Sequence, residues 1–241
     1  DELDVATYRH RLQEQGKYLD RKPGTRSLDG CLHDPPRLPP EAVRILPPCS
    51  WEPARAEGGL LQFEDHLEFG PNLTPSEVIR LGSFGGTYFR DIESAVTGLS
   101  YRGRDVISEF PASWFEGLDI DTMVCSPLYD KRVNKFGVSC GSSLGQWETS
   151  GWISELDPYG WFQWYCRFFL GRRTTDDARQ IQRWNAGQGP SGRWRSRVCN
   201  DLIRHQKGAE EETVSRVCRQ VLQHWAYSLM QDDLEKHRAK S

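Results

Sequence analysis

The chain has 241 residues, 37% of them hydrophobic, and a formal net charge of −3 at pH 7. That length allows one large domain or two small ones, and no apolar run approaches the roughly 20 residues that a membrane-spanning helix requires. The net acidity speaks against a general nucleic-acid coating protein, while nine tryptophans, ten phenylalanines and eight tyrosines supply bulk for a core.

Residues 1–22 read as a charged helix with Tyr8, Leu12, Gln15 and Leu19 near one face. Its first residue, Asp1 rather than Met, reads as a fragment or a processed chain. From Pro23 to Pro53 eight prolines impose extended backbone. Residues 1–50 are therefore expected to form an N-terminal helix and a proline-rich arm, the arm able to engage a protein partner. One globular domain is expected over 51–230. Within it, Thr74-Pro75-Ser76-Glu77 is a helix start, with a capping threonine and proline at the first helical position, for a helix reaching Leu81. A loop from Gly82 follows, carrying Gly85-Gly86. Ser113–Gly117 and Ser142–Gly151 read as short helices, and the alternation from Asp130 to Cys140 permits a strand.

Helical signals strengthen after Asp157-Pro158. An apolar run reaches Leu170 and stops at Gly171, and Thr174 and Thr175 cap a second helix, with Asp176 and Asp177 in its first turn. That helix should hold Arg172, Arg173, Arg179 and Arg183 and end before Gly187. A last helix from Glu210 carries an apolar stripe of Val214, Val217, Cys218, Val221, Leu222 and Trp225, expected to be buried. Residues 231–241 read as a frayed, charged tail. The predicted fold is α+β, mainly helical, with a short sheet region.

The segment Trp161–Gln206 concentrates nine arginines, no lysine and three aspartates, a local charge of +6 that leaves −9 for the remainder. Arginine beside tryptophan suits bidentate and stacking recognition of phosphates or bases. Arg172, Arg179 and Arg183 fall on one helical face, although pairing of Arg172 with Asp176 and of Arg173 with Asp177 would make the same segment an ordinary salt-bridged surface. Arg193, Arg195 and Arg197 follow a glycine-rich turn. If extended, they point to one face opposite Trp194; if helical, Arg193 and Arg197 share a face and Arg195 leaves it. The aromatic cluster Trp161, Phe162, Trp164, Tyr165, Phe168 and Phe169 is read as core, with Trp184 and Trp194 exposed.

Gly85 and Gly86 present backbone amides to an anion with Arg90 as counter-charge, or simply turn the chain. The candidate catalytic groups are Asp130, Cys140 and His66. The six histidines lack HExxH or HxH spacing, so no metal or other cofactor is expected. Seven cysteines without a CxxC pair read as unbridged thiols of a reducing, intracellular compartment.

The block GWFQWYCRFFLGRR, with KFGVSCGSSLGQWETSGWI before it, resembles a family of hypothetical proteins over roughly Leu60–Trp225. The resemblance implies no activity and no residue roles. The leading expectation is a polyanion-binding protein, most directly a nucleic-acid binder, acting through the arginine and aromatic surface. The alternatives are an enzyme acting on a nucleotide or another phosphorylated small molecule, and a protein-interaction module.

Overall fold

The computed structural model describes residues 43–45 as backbone and residues 53–240 in full. The expected N-terminal helix and the rest of the proline-rich arm lie outside the described residues. In chain order the elements begin β1 (Val43–Ile45), β2 (Ala54–Arg55), β3 (Leu61–Gln62), α1 (Pro75–Arg80), β4 (Ile92–Ser94), β5 (Leu99–Tyr101) and α2 (Gly103–Ile107). Then come α3 (Ile120–Met123), α4 (Leu144–Thr149), α5 (Trp161–Phe169), β6 (Arg172–Thr174) and α6 (Asp177–Gln188), followed by α7 (Arg193–Arg204), α8 (Arg216–His224) and α9 (Gln231–Arg238). Among the described residues the strands form antiparallel pairs, β1 with β6, β2 with β3 and β4 with β5. The fold is α+β and mainly helical.

Two compact units divide the described residues: 43–45, 86–129 and 142–177 form the first, and 53–85, 130–141 and 178–240 the second. The first is organised on α5. This helix is apolar nearly all round and correspondingly buried, with Trp164, Tyr165, Cys166 and Phe168 all at 0% exposure. Tyr88 fixes the start of the helix, donating its hydroxyl to Tyr159 O (2.7 Å) and accepting from Gln163 N (2.9 Å).

Asp157 does not cap α5 as its sequence position suggests. Its buried carboxylate instead accepts Arg167 Nη1 (2.9 Å) on one oxygen and Arg172 Nη2 (2.6 Å) on the other, while Arg167 Nη2 also reaches Glu109 (2.6 Å). Arg172 and Arg173 are not on a helix. They lie in β6, whose register pairs Arg173 with Arg44 of β1, and both are buried. Arg173 stacks 3.7 Å over the Phe168 ring and donates to the carbonyls of Phe168 and Arg172. The expected pairing with Asp176 and Asp177 needs a helical register that the strand removes. Asp177 serves Trp164 Nε1 and Thr174 instead.

In the second unit Thr74 caps α1 as read, its Oγ1 accepting from Glu77 N, and Glu77 completes a capping box by accepting from Thr74 N. Residues 130–140 form no strand. Asp130 caps a single 3-10 turn at Lys131–Val133, and the Asn134 amide bonds both N and O of Val138, so local side-chain bonds take the backbone groups a ladder would need. α6 runs through Gly187 to Gln188, past its predicted end.

Trp184 is buried rather than exposed, donating Nε1 to Trp225 O (2.8 Å) and packing edge-on against Phe69 and Tyr227. α8 begins only at Arg216 and turns the opposite face inward. Arg219, Gln220, Leu222 and Gln223 are buried, Val217 is 50% exposed and Trp225 only half-buried. The cause is Arg219, whose guanidinium gathers the carbonyls of Ala209, Glu211 and Val214 and so anchors the polar side. The predicted frayed tail is α9, held by buried Leu234 and by Asp233, which accepts from Met230 N and from the Tyr227 hydroxyl.

Candidate functional site

The glycine-rich turn between α6 and α7 closes by backbone contact. A Cβ at Gly192 would lie 2.4 Å from Gly187 O, so only glycine fits. Gly192 is then the N-cap of α7, with no side-chain cap and no acid in the first turn. The arginines after it are therefore helical, not extended. Arg193, Arg197, Asn200 and Arg204, at i, i+4, i+7 and i+11, are all exposed and share one face. From Arg193 to Arg204 the stripe is about 16 Å long at 1.5 Å per residue. Val198, Cys199 and Leu202 bury the opposite face.

Each group on the stripe is held differently. The Arg193 guanidinium lies 5.0 Å from the centre of the half-buried Trp194 ring. Arg197 Nε (3.0 Å) and Arg204 Nη1 (3.3 Å) both reach Asp201, and Asn200 Oδ1 lies 2.8 Å from His237 Nε2 on α9. Arg195 leaves this face. It pairs with the buried Asp233 carboxylate and lies over the Tyr227 ring, a packing role. Arg179 and Arg183 are half-buried on α6, where Arg183 donates to Gln180 and covers Trp225 at 5.3 Å. Of the residues expected to form the arginine surface, Arg172, Arg173 and Trp184 are interior, and Arg204 was overlooked. Its i+7 spacing from Arg197 was the signal that a helical reading would have used.

The Gly85-Gly86 turn has a backbone explanation. Both glycines have positive φ, their carbonyls accept from Asp130 N and Ser126 N (both 2.9 Å), and a Cβ at Gly86 would come within 2.1 Å of Thr122 O. Arg90 donates Nη1 to Thr87 O (3.0 Å) in the first unit. Asp130 is clamped by Arg132 through both oxygens, and the guanidinium and amide of Arg132 hold its carboxyl down at about 2. Such a group stays ionised and shuttles no proton near neutrality. His66 Nδ1 sits 3.2 Å from Glu68.

Cys140 has a neighbour the sequence did not suggest, His224, 84 positions away, with Sγ 3.6 Å from Nε2. His224 Nε2 is also 2.6 Å from the Ser83 carbonyl, which makes Nε2 the protonated nitrogen, and the ring stacks on Phe84. Burial pushes the Cys140 thiol up to about 12 and lowers the imidazole to about 4, so both groups rest neutral. That is the reverse of an activated thiolate–imidazolium pair.

The cysteines in the described residues, Cys125, Cys140, Cys166, Cys199 and Cys218, are free thiols. Among the described residues no group of three or more His, Cys, Asp or Glu is placed to hold a metal ion. No helix among them is long and apolar enough to cross a membrane. No family model matches the chain, and no curated protein or solved structure is significantly similar to it.

Proposed function

We propose that the protein binds nucleic acid through the exposed face of α7, with Arg193, Arg197 and Arg204 contacting phosphates and Trp194 available to stack on an unpaired base. The observation that carries this reading is the alignment of three exposed arginines on one helical face. Arg193 to Arg197 is an i,i+4 step rising about 6 Å, a spacing that lets two guanidinium groups reach successive phosphates along a strand, and Arg204 stands two turns further on, about 10 Å along the same face. The start of the helix adds to it. Three arginines within five residues stand at the positive end of the helix dipole, where an anion is stabilising and a cation is not.

The test is fluorescence anisotropy with labelled DNA, duplex and single-stranded, at low salt. Replacing Arg193 and Arg204 by Ala is expected to weaken binding at least tenfold. Replacing Arg132, an exposed arginine outside the stripe, is expected to leave it unchanged. Equal losses from both replacements would mean general charge attraction rather than a site on α7. If neither form of DNA binds at low salt while a mononucleotide raises the melting temperature, an enzyme or small-molecule site takes the place of this reading.

A further inference from the structure

Asp201 stands within the arginine stripe and is shaped as its occupant. Its carboxylate is almost covered, with a side-chain exposure of 11%, while the Arg197 and Arg204 side chains that reach over it are 60% and 66% exposed. Arg197 Nε donates to Oδ2 (3.0 Å) from the preceding turn and Arg204 Nη1 to Oδ1 (3.3 Å) from the following one. The Ser215 hydroxyl donates to Oδ2 from outside the helix. Ser215 takes up that position in the left-handed region, at φ 57° and ψ 37°, a conformation unfavourable for a residue other than glycine. Two guanidinium groups and a hydroxyl converging on two oxygens is the donor set of a phosphate site.

We propose that Arg197, Arg204 and Ser215 form an oxyanion site that Asp201 fills in the unliganded chain, and that a phosphate of the nucleic acid displaces this internal carboxylate on binding. The inference rests on the reading of α7 as the nucleic-acid surface. The two arginine side chains are largely exposed and free to swing outward with an incoming anion, and a phosphate offers both of them more oxygens, farther from the helix. The Ser215 hydroxyl and then Arg197 hold the Asp201 carboxyl below its usual range, so the internal competitor stays charged near neutral pH. Asp201 would thus set the affinity of the surface and favour ligands with closely spaced phosphates over single small anions.

The prediction is a gain of function. Asp201→Asn keeps an acceptor for Ser215 and Arg197 but removes the charge, and DNA affinity should rise about threefold to tenfold at low salt. The slope of log K against log[salt] should steepen by at most about 0.9, from two phosphates contacted to three. Asp232→Asn, which removes an exposed charge paired with Lys236 on α9, serves as the control for overall charge and should leave the slope unchanged. Should Asp201→Asn unfold, Ser215→Ala loosens the carboxylate and should move both quantities in the same direction.

If Asp201→Asn or its substitute weakens binding, leaves it unchanged, or merely matches Asp232→Asn, the occupied-site proposal is wrong. That outcome is distinct from failure of the parent reading, in which wild-type binding is absent or indifferent to Arg193→Ala.

Discussion

Asp157→Asn is the sharpest probe of why two of the arginines are not on the surface. Asp157 is fully buried and bridges Arg167 Nη1 at 2.9 Å and Arg172 Nη2 at 2.6 Å. Arg167 has a second carboxylate in Glu109, whereas Arg172, at 1% exposure, finds no acceptor for Nε or Nη1 among the described residues. An asparagine can accept from one arginine but turns an amide donor toward the other, leaving a buried guanidinium uncompensated. Breaking a buried pair in this way costs about 3–5 kcal/mol. Equilibrium urea unfolding, followed by tryptophan fluorescence, measures the loss. Arg172→Met should cost less, about 1–3 kcal/mol, because Asp157 keeps Arg167. The double variant should be more stable than additivity allows by at least about 1 kcal/mol, since the charge left unpaired has gone. A loss below about 1 kcal/mol for Asp157→Asn, or strict additivity, would refute the buried bridge and return Arg172 to solvent.

Trp184→Ala should destabilise the protein by about 3–5 kcal/mol in the same assay, because it empties a buried indole site and strands the Trp225 carbonyl; a loss near zero would place Trp184 on the surface. Burial lowers His224 from 6.5 to about 4, so below pH 6.5 the unfolded chain takes up a proton that the folded one refuses. Its stabilising contribution is whole above that pH and lost as pH falls toward 4, by up to about 3 kcal/mol. His224→Gln should flatten this part of the stability–pH curve, and an unchanged curve would count against a buried neutral imidazole. With its thiol near 12, Cys140 should react with iodoacetamide at pH 8 about thirtyfold to a hundredfold more slowly in the folded than in the unfolded protein, its scarcer thiolate being partly offset by greater nucleophilicity. Comparable rates, read by peptide mass spectrometry, would reveal an activated thiol.

Local signals were legible and long-range ones were not. The Thr74 cap and the all-round apolar run of α5 are written in neighbouring residues, so sequence reading finds them. β6 is different. Arg172–Thr174 becomes a strand because β1 lies beside it, and its partner is some 130 positions earlier. No property of the local sequence GRRTT separates that strand from a helix start. The apolar stripe predicted from Val214 to Trp225 is not the buried face: α8 starts only at Arg216, beyond Val214, and Arg219 buries the other side by capturing three carbonyls from the turn before it. The site shows the same division. The density of arginine in residues 161–206 was plain, but whether each guanidinium faces solvent or a carboxylate depends on acids such as Asp157 and Asp233, 15 and 38 positions from Arg172 and Arg195. The approach of Cys140 to His224 had no sequence signal, because neither residue lies in a motif that names the other.

The most direct test of the account is the salt dependence of DNA binding by the wild-type protein and by the Arg193→Ala, Arg197→Ala, Arg204→Ala triple variant. With two or three phosphates contacted, the wild-type plot of log K against log[salt] for duplex DNA should slope by about −1.8 to −2.7, and the triple variant should bring the slope close to zero while unfolding like the wild type. A wild type that fails to bind at low salt, or a triple variant whose slope matches the wild type, would contradict the assignment of α7 as the nucleic-acid surface.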